Sequence, residues 1–133
     1  DGANQRFALH ALVPDSGASF FLTRTVGEAR ARALAMLGDA IDAETAAAWG
    51  MIWKAVDDAE LLGEAEKLTA HLAKQPSASL AAIKAMFAAA GTNGLDAQLD
   101  LEARLQGEAG RSADFAEGVS AFLAKRAPVF RGR

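Results

Sequence analysis

At 133 residues, 51% of them hydrophobic and 23% charged, the chain is long enough for one domain with a modest core and too apolar to be intrinsically disordered. Its formal net charge of −3 comes from interspersed acids and bases, which gives no electrostatic reason to expect a nucleic-acid partner. The lack of cysteine excludes a disulfide framework, a thiolate nucleophile and a cysteine metal site. No apolar run approaches the roughly 20 residues that span a bilayer and no basic-then-apolar leader is visible, so no membrane is expected and a cytoplasmic location is.

In chain order the text reads as short helices with clear punctuation. Asp15 or Ser16 is expected to cap a first helix carrying Phe20, Phe21 and Leu22, with Gly27 ending it. A second helix should run from about Glu28 to Leu37 and stop at Gly38. Asp42 should cap a third, short one through Trp49, closed by Gly50. The apolar run Met51-Ile52-Trp53-Lys54-Ala55-Val56 then reads as a short strand.

Asp57 and Asp58 are cap candidates for a longer helix in which Leu61, Ala65, Leu68 and Leu72 recur at helical spacing, implying one buried face, up to Gln75-Pro76. Ser77 is expected to cap the next, with the stripe Leu80, Ile83, Phe87 and Ala90 ahead of the Gly91-Thr92-Asn93-Gly94 turn. Another helix carries Leu95, Leu99 and Leu105 to Gly110, and the last begins near Ser112 with Phe115, Val119, Phe122 and Leu123 on one side. The pattern is mostly α. A lone candidate strand leaves its backbone groups without ladder partners, which suggests part of a larger fold.

The segment Leu12-Val13-Pro14-Asp15-Ser16-Gly17-Ala18-Ser19, read with Ile41-Asp42-Ala43-Glu44 and Trp49-Gly50-Met51-Ile52-Trp53, resembles the second half of the crotonase (enoyl-CoA hydratase/isomerase) superfamily. The likeness covers nearly the whole chain from Leu12, while Asp1 to Arg6 match the family poorly and His10-Ala11 stands where Ile-Gly is usual. The resemblance implies the C-terminal helical, trimerisation portion of the crotonase α/β spiral fold. It divides the chain into a divergent start at 1–11, active-site helices and a short strand at 12–56, and a helical oligomerisation region at 57–133. An acyl-CoA substrate, a homotrimer or hexamer, and an N-terminal half carrying the oxyanion hole are implied with it. No metal or redox cofactor is implied, because CoA arrives as part of the substrate.

Two positions discriminate the chemistry in that register. Hydratases of the family carry a glutamate eight residues before the position of Asp15, where this chain has Phe7, so hydration is disfavoured. Isomerases of the family carry an aspartate at the position of Asp15 and use it to move a proton between carbons of an acyl-CoA. The Pro-Asp-Ser-Gly form is most similar to the ring-1,2-epoxyphenylacetyl-CoA isomerases of phenylacetate degradation, as are the segments from Leu95 to Glu102 and from Gly110 to Phe115. The expected reaction is thus an epoxyphenylacetyl-CoA rearrangement or a double-bond shift. A carbon acid beside a thioester needs a base within hydrogen-bond reach whose pKa has risen toward neutrality, and Phe7, Phe20 and Phe21 are candidates for the apolar setting that produces such a rise. From spacing alone the plainer reading of Asp15 is a helix N-cap.

At the other end, Phe122 and Lys125, three apart, are expected on one helix face. In the family a Phe and a Lys at this spacing meet the adenine and phosphate end of CoA, with Arg126 a weaker candidate. The plainer alternative is a core Phe122 and a solvated tail for Lys125, Arg126, Arg131 and Arg133. His10 and His71 read as structural or surface residues, Trp49 and Trp53 as core in preference to substrate-pocket lining, and Met36, Met51 and Met86 as packing. Two rivals stand beside the isomerase: an oligomerisation or interaction module without activity, and an enoyl-CoA hydratase.

Overall fold

A computed structural model describes residues 11–132, so expectations for Phe7, His10 and Arg133 lie outside the described residues. The chain divides between Leu61 and Leu62 into two compact units.

In the first unit, α1 (Ala18–Val26) and α2 (Glu28–Leu37) are separated by Gly27 alone, whose φ of 81° is open to glycine and strained for other residues. That abrupt joint lets the two helices pack on each other. Leu22, Val26, Ala31 and Leu34 are buried together, and Ile41, Trp49 and Met51 pack against them. The buried positions fall four and three apart along each helix, as one face of a 3.6-residue repeat requires. Gly38 ends α2 at φ 71° and donates its N–H to the Leu34 carbonyl at 3.2 Å. The six-residue α3 (Ala43–Ala48) starts at Asp42, whose carboxylate accepts the Thr45 N–H at 2.7 Å. Hydrogen bonds from Thr45, the side chain contributing more than the backbone, hold the Asp42 carboxyl below its ordinary value.

The strand expected over 51–56 is not formed. The N–H groups of Met51 and Ile52 turn back onto the Ala46 carbonyl, at 2.9 and 3.4 Å, so the run is bent around the end of α3 rather than extended. Trp53, expected in the core, is 80% exposed, and Met36 is exposed too, whereas Trp49 and Met51 do pack on the core.

The second unit takes in nearly all of α4 (Leu61–Leu72), then α5 (Ser77–Ala90), α6 (Leu95–Gly110) and α7 (Ala113–Leu123). Here α5 packs on α6 and α6 on α7, while α4 packs on none of the other helices of this unit. Asp57 and Asp58 lie in the turn ahead of α4, where their carbonyls accept the N–H groups of Glu60 and Leu61. Pro76, not Ser77, is the N-cap of α5, because proline's fixed φ suits the entry and its carbonyl already receives the Leu80 N–H. The last helix starts at Ser112 as expected, and Ser112 caps it, its hydroxyl accepting the Phe115 N–H at 3.0 Å.

The apolar stripes read from spacing are present, but they are not buried. No residue of α4, α5 or α6 is buried, and Leu61, Leu68, Leu72, Ile83 and Phe87 are exposed. Helical spacing identifies which face is apolar, and a covering surface is a separate requirement. Among the described residues no helix is long and apolar enough to cross a membrane.

Candidate functional site

Two places carry the residues of interest, one in each unit. The first is the entry to α1. Ser16 and Gly17 both adopt left-handed backbone, at φ 51° and 83°, and the Asp15 carbonyl accepts the Ala18 N–H at 2.8 Å. The turn is therefore closed by main-chain groups. Gly17 is the N-cap and no side chain caps the helix, so neither Asp15 nor Ser16 takes the capping role expected of them. The Asp15 side chain is exposed and has no hydrogen bond or ion pair among the described residues.

Strain marks this turn. A left-handed residue bearing a side chain costs about 1–2 kcal/mol, and Ser16 takes that conformation beside a glycine. A Cβ at Gly17 would also lie 3.0 Å from Cε2 of the exposed Phe21 ring, which would have to shift, so the turn favours glycine chiefly for its left-handed backbone. Phe20 and Phe21 meet edge to face with ring centroids 5.2 Å apart, and the Arg24 guanidinium lies 3.4 Å from the Phe20 centroid. Both rings stay exposed, so they do not enclose Asp15 in the apolar setting expected of them.

The second place is the exit from α7, and it is assembled by two carboxylates one turn apart. Asp114 is 5% exposed and accepts the backbone N–H groups of Arg131 and Gly132, each at 2.7 Å. Glu117 meets the Arg126 guanidinium in a two-pronged pair at 2.5 and 2.8 Å and also accepts the Val129 N–H at 2.9 Å. The bonds from Arg126 and then from Val129 lower the Glu117 carboxyl to about 2. Gly132, at φ 77°, comes down on Ser77 at the start of α5, where any Cβ would collide with the Ser77 hydroxyl. The tail is thus fastened at its backbone to α7 and seated against α5.

The helix closes at Leu123 with a Schellman arrangement: the Arg126 N–H reaches the Ala121 carbonyl at 3.0 Å and the Lys125 N–H reaches Phe122 at 3.1 Å. Lys125 occupies the left-handed position, φ 51°, which is usually glycine. Phe122 and Lys125 therefore share the closing turn rather than one face of a helix, which corrects the helical-spacing expectation. The Phe122 ring is 82% exposed, so it is not a core residue of this chain. It borders an apolar groove of about 450 Å3 whose walls include Pro76, Phe115, Val119 and Phe130. The Arg126 guanidinium is committed to Glu117 and to the Ala127 carbonyl, while among the described residues the exposed Lys125 ammonium has no hydrogen bond or ion pair. Spacing did not single out Asp114 or Glu117, because their partners, main-chain groups and the Arg126 guanidinium, lie 9 to 18 residues away. The visible hint is a pair of acids three apart on the helix before a basic tail.

A family model described as Enoyl-CoA hydratase/isomerase matches residues 3–133. The chain is 53% identical over 127 residues to 1,2-epoxyphenylacetyl-CoA isomerase of Escherichia coli, covering 96% of this chain and 48% of that protein. It is 52% identical over 129 residues to a protein of Rhodobacter capsulatus named "Probable enoyl-CoA hydratase", covering 97% and 50%. Among solved structures, an enoyl-CoA hydratase from Polaromonas superposes with a TM-score of 0.88 at 31% identity, over 94% of this chain and 49% of that one. The chain spans about half the length of the curated relatives it matches.

Proposed function

Because this chain belongs to the enoyl-CoA hydratase/isomerase family, we propose that it forms the C-terminal half of an acyl-CoA isomerase in which Asp15 transfers the proton. The observation that supports this most is the turn at Pro14 to Gly17. It fulfils its structural task through main-chain groups and leaves a carboxylate exposed on a strained, glycine-dependent loop, where strain and an unengaged acid go together with function.

The chemistry is a balanced proton shuttle. The Asp15 carboxylate removes a proton from one carbon of the acyl group, the electron pair passes toward the thioester carbonyl as an enolate, and the same carboxyl returns the proton to another carbon. The enolate oxygen needs preorganised N–H donors, which the family resemblance assigns to the half of the fold that lies outside this sequence. That half would also have to cover Asp15 and exclude water, since an exposed carboxylate is too weak a base for a carbon acid. The substrate class that fits the E. coli relative is an epoxidised phenylacetyl-CoA, with a double-bond shift in an enoyl-CoA as the related reaction. Phe122 and Lys125 would hold the adenine and phosphate end of CoA by stacking and a point charge. A homotrimer or a pair of trimers accords with the many exposed apolar side chains of α4 to α7.

The test is Asp15→Asn in the assembled protein, assayed with acyl-CoA substrates. The expected loss in kcat is at least about 100-fold, the lower end of what general acid–base catalysis supplies. Unchanged activity would overturn the assignment. A second reading, an enoyl-CoA hydratase, is favoured by the name of the R. capsulatus relative, and addition of water to an enoyl-CoA by the same preparation would decide for it.

A further inference from the structure

We infer that Glu117 is a positioning residue that fixes the turn carrying Lys125, and with it the direction in which the Lys125 ammonium leaves the end of α7; this rests on the CoA-binding reading of Phe122 and Lys125 given above. Lys125 is held in left-handed backbone, a conformation that disfavours a residue with a side chain by about 1–2 kcal/mol. A helix end that needs only closure usually takes glycine there. Lysine at that position retains the strain and adds an ammonium group, which among the described residues meets no partner.

The turn is anchored on both sides of Lys125. Before it, the Lys125 N–H is bonded to Phe122; after it, Arg126 is bonded through its N–H to Ala121 and through both guanidinium arms to Glu117. A fork-on-fork ion pair permits one nearly coplanar geometry, where a lysine contact would permit many. Glu117 takes the Val129 N–H as well, so the chain on the far side of the turn is held by the same carboxylate. Removing Glu117 leaves the strained residue bracketed only by main-chain bonds. Lys125 is then free to relax out of the left-handed region, and its ammonium leaves the helix end in another direction. Glu117 itself touches no ligand in this scheme and acts through Lys125.

A double-mutant cycle on CoA affinity tests this, with the full chain and CoA itself titrated by calorimetry. Lys125→Ala should weaken binding roughly five- to tenfold and Glu117→Gln roughly fivefold, while Glu117→Gln added to Lys125→Ala should change nothing further. Equal losses from Glu117→Gln in both backgrounds would mean that it only supports the fold, and the inference would fail while the CoA reading stood. If Lys125→Ala leaves affinity unchanged, or the unsubstituted chain does not bind CoA, the CoA reading itself is overturned. Should Glu117→Gln not fold, Arg126→Gln breaks the same pair from the other side and the cycle is read in the same way.

Discussion

The two units solve the problem of a short chain differently. In the first, α1 and α2 bring Leu22, Val26, Ala31 and Leu34 into a small closed cluster, so apolar contact does the holding. In the second, only Asp114 and Ala121 are buried among the described residues, and the C-terminal tail is fastened by carboxylates that accept backbone N–H groups. The first unit has a small apolar cluster of its own although Phe20, Phe21, Met36 and Trp53 stay exposed on it. A unit held by polar ties keeps its apolar side chains facing outward, available to another surface.

The largest expected effect tests the closed cluster. Leu22→Ala removes a buried side chain at its centre and should destabilise the first unit by about 2–4 kcal/mol, read as a shift in the denaturant midpoint. A change below about 1 kcal/mol would show that the cluster is not what holds that unit. Asp114→Ala comes next. It leaves the Arg131 and Gly132 N–H groups without their acceptor, at about 1–3 kcal/mol, and should abolish their protection against hydrogen exchange. Retained protection would mean that the tail is held by apolar contact after all.

Acid should act on the second unit through Glu117. Its carboxyl is lowered from 4.5 to about 2 in the folded chain, so the stabilisation is fully present above about 4.5 and is lost as pH falls through about 2. The Val129 amide shift followed by NMR should stay flat to below pH 4 and then move; a transition centred near 4.5 would show that the pair with Arg126 does not form. The smallest effect is expected on the uncovered face of α4. Leu68→Ser should change the stability of the isolated chain by no more than about 0.5 kcal/mol, while lowering any self-association seen by analytical ultracentrifugation. A large loss of stability would contradict the exposed placement of α4.

What was legible followed locality. Gly27, Gly38, Asp42 and Ser112 bound their helices as read, because capping is decided by residues within one turn. The misreadings have local causes as well: at Pro76 a neighbouring proline took the capping position from Ser77, and at 51–56 the end of α3 claimed the N–H groups that a strand would have needed. Burial was less legible. The stripe Leu61, Ala65, Leu68 and Leu72 lies where helical spacing puts it, yet its residues are exposed.

The sequence by itself determined the helical character, most helix ends and the family, since propensity, capping and motif are written in neighbouring residues. Only the tertiary structure decided that Asp15 does not cap its helix, that Lys125 stands in a left-handed turn, and that Asp114 and Glu117 hold a tail 9 to 18 residues further on. Those outcomes depend on which backbone groups come within 3 Å of a carboxylate once the chain has folded back. That distance is set by the path of the whole segment, and no local pattern encodes it.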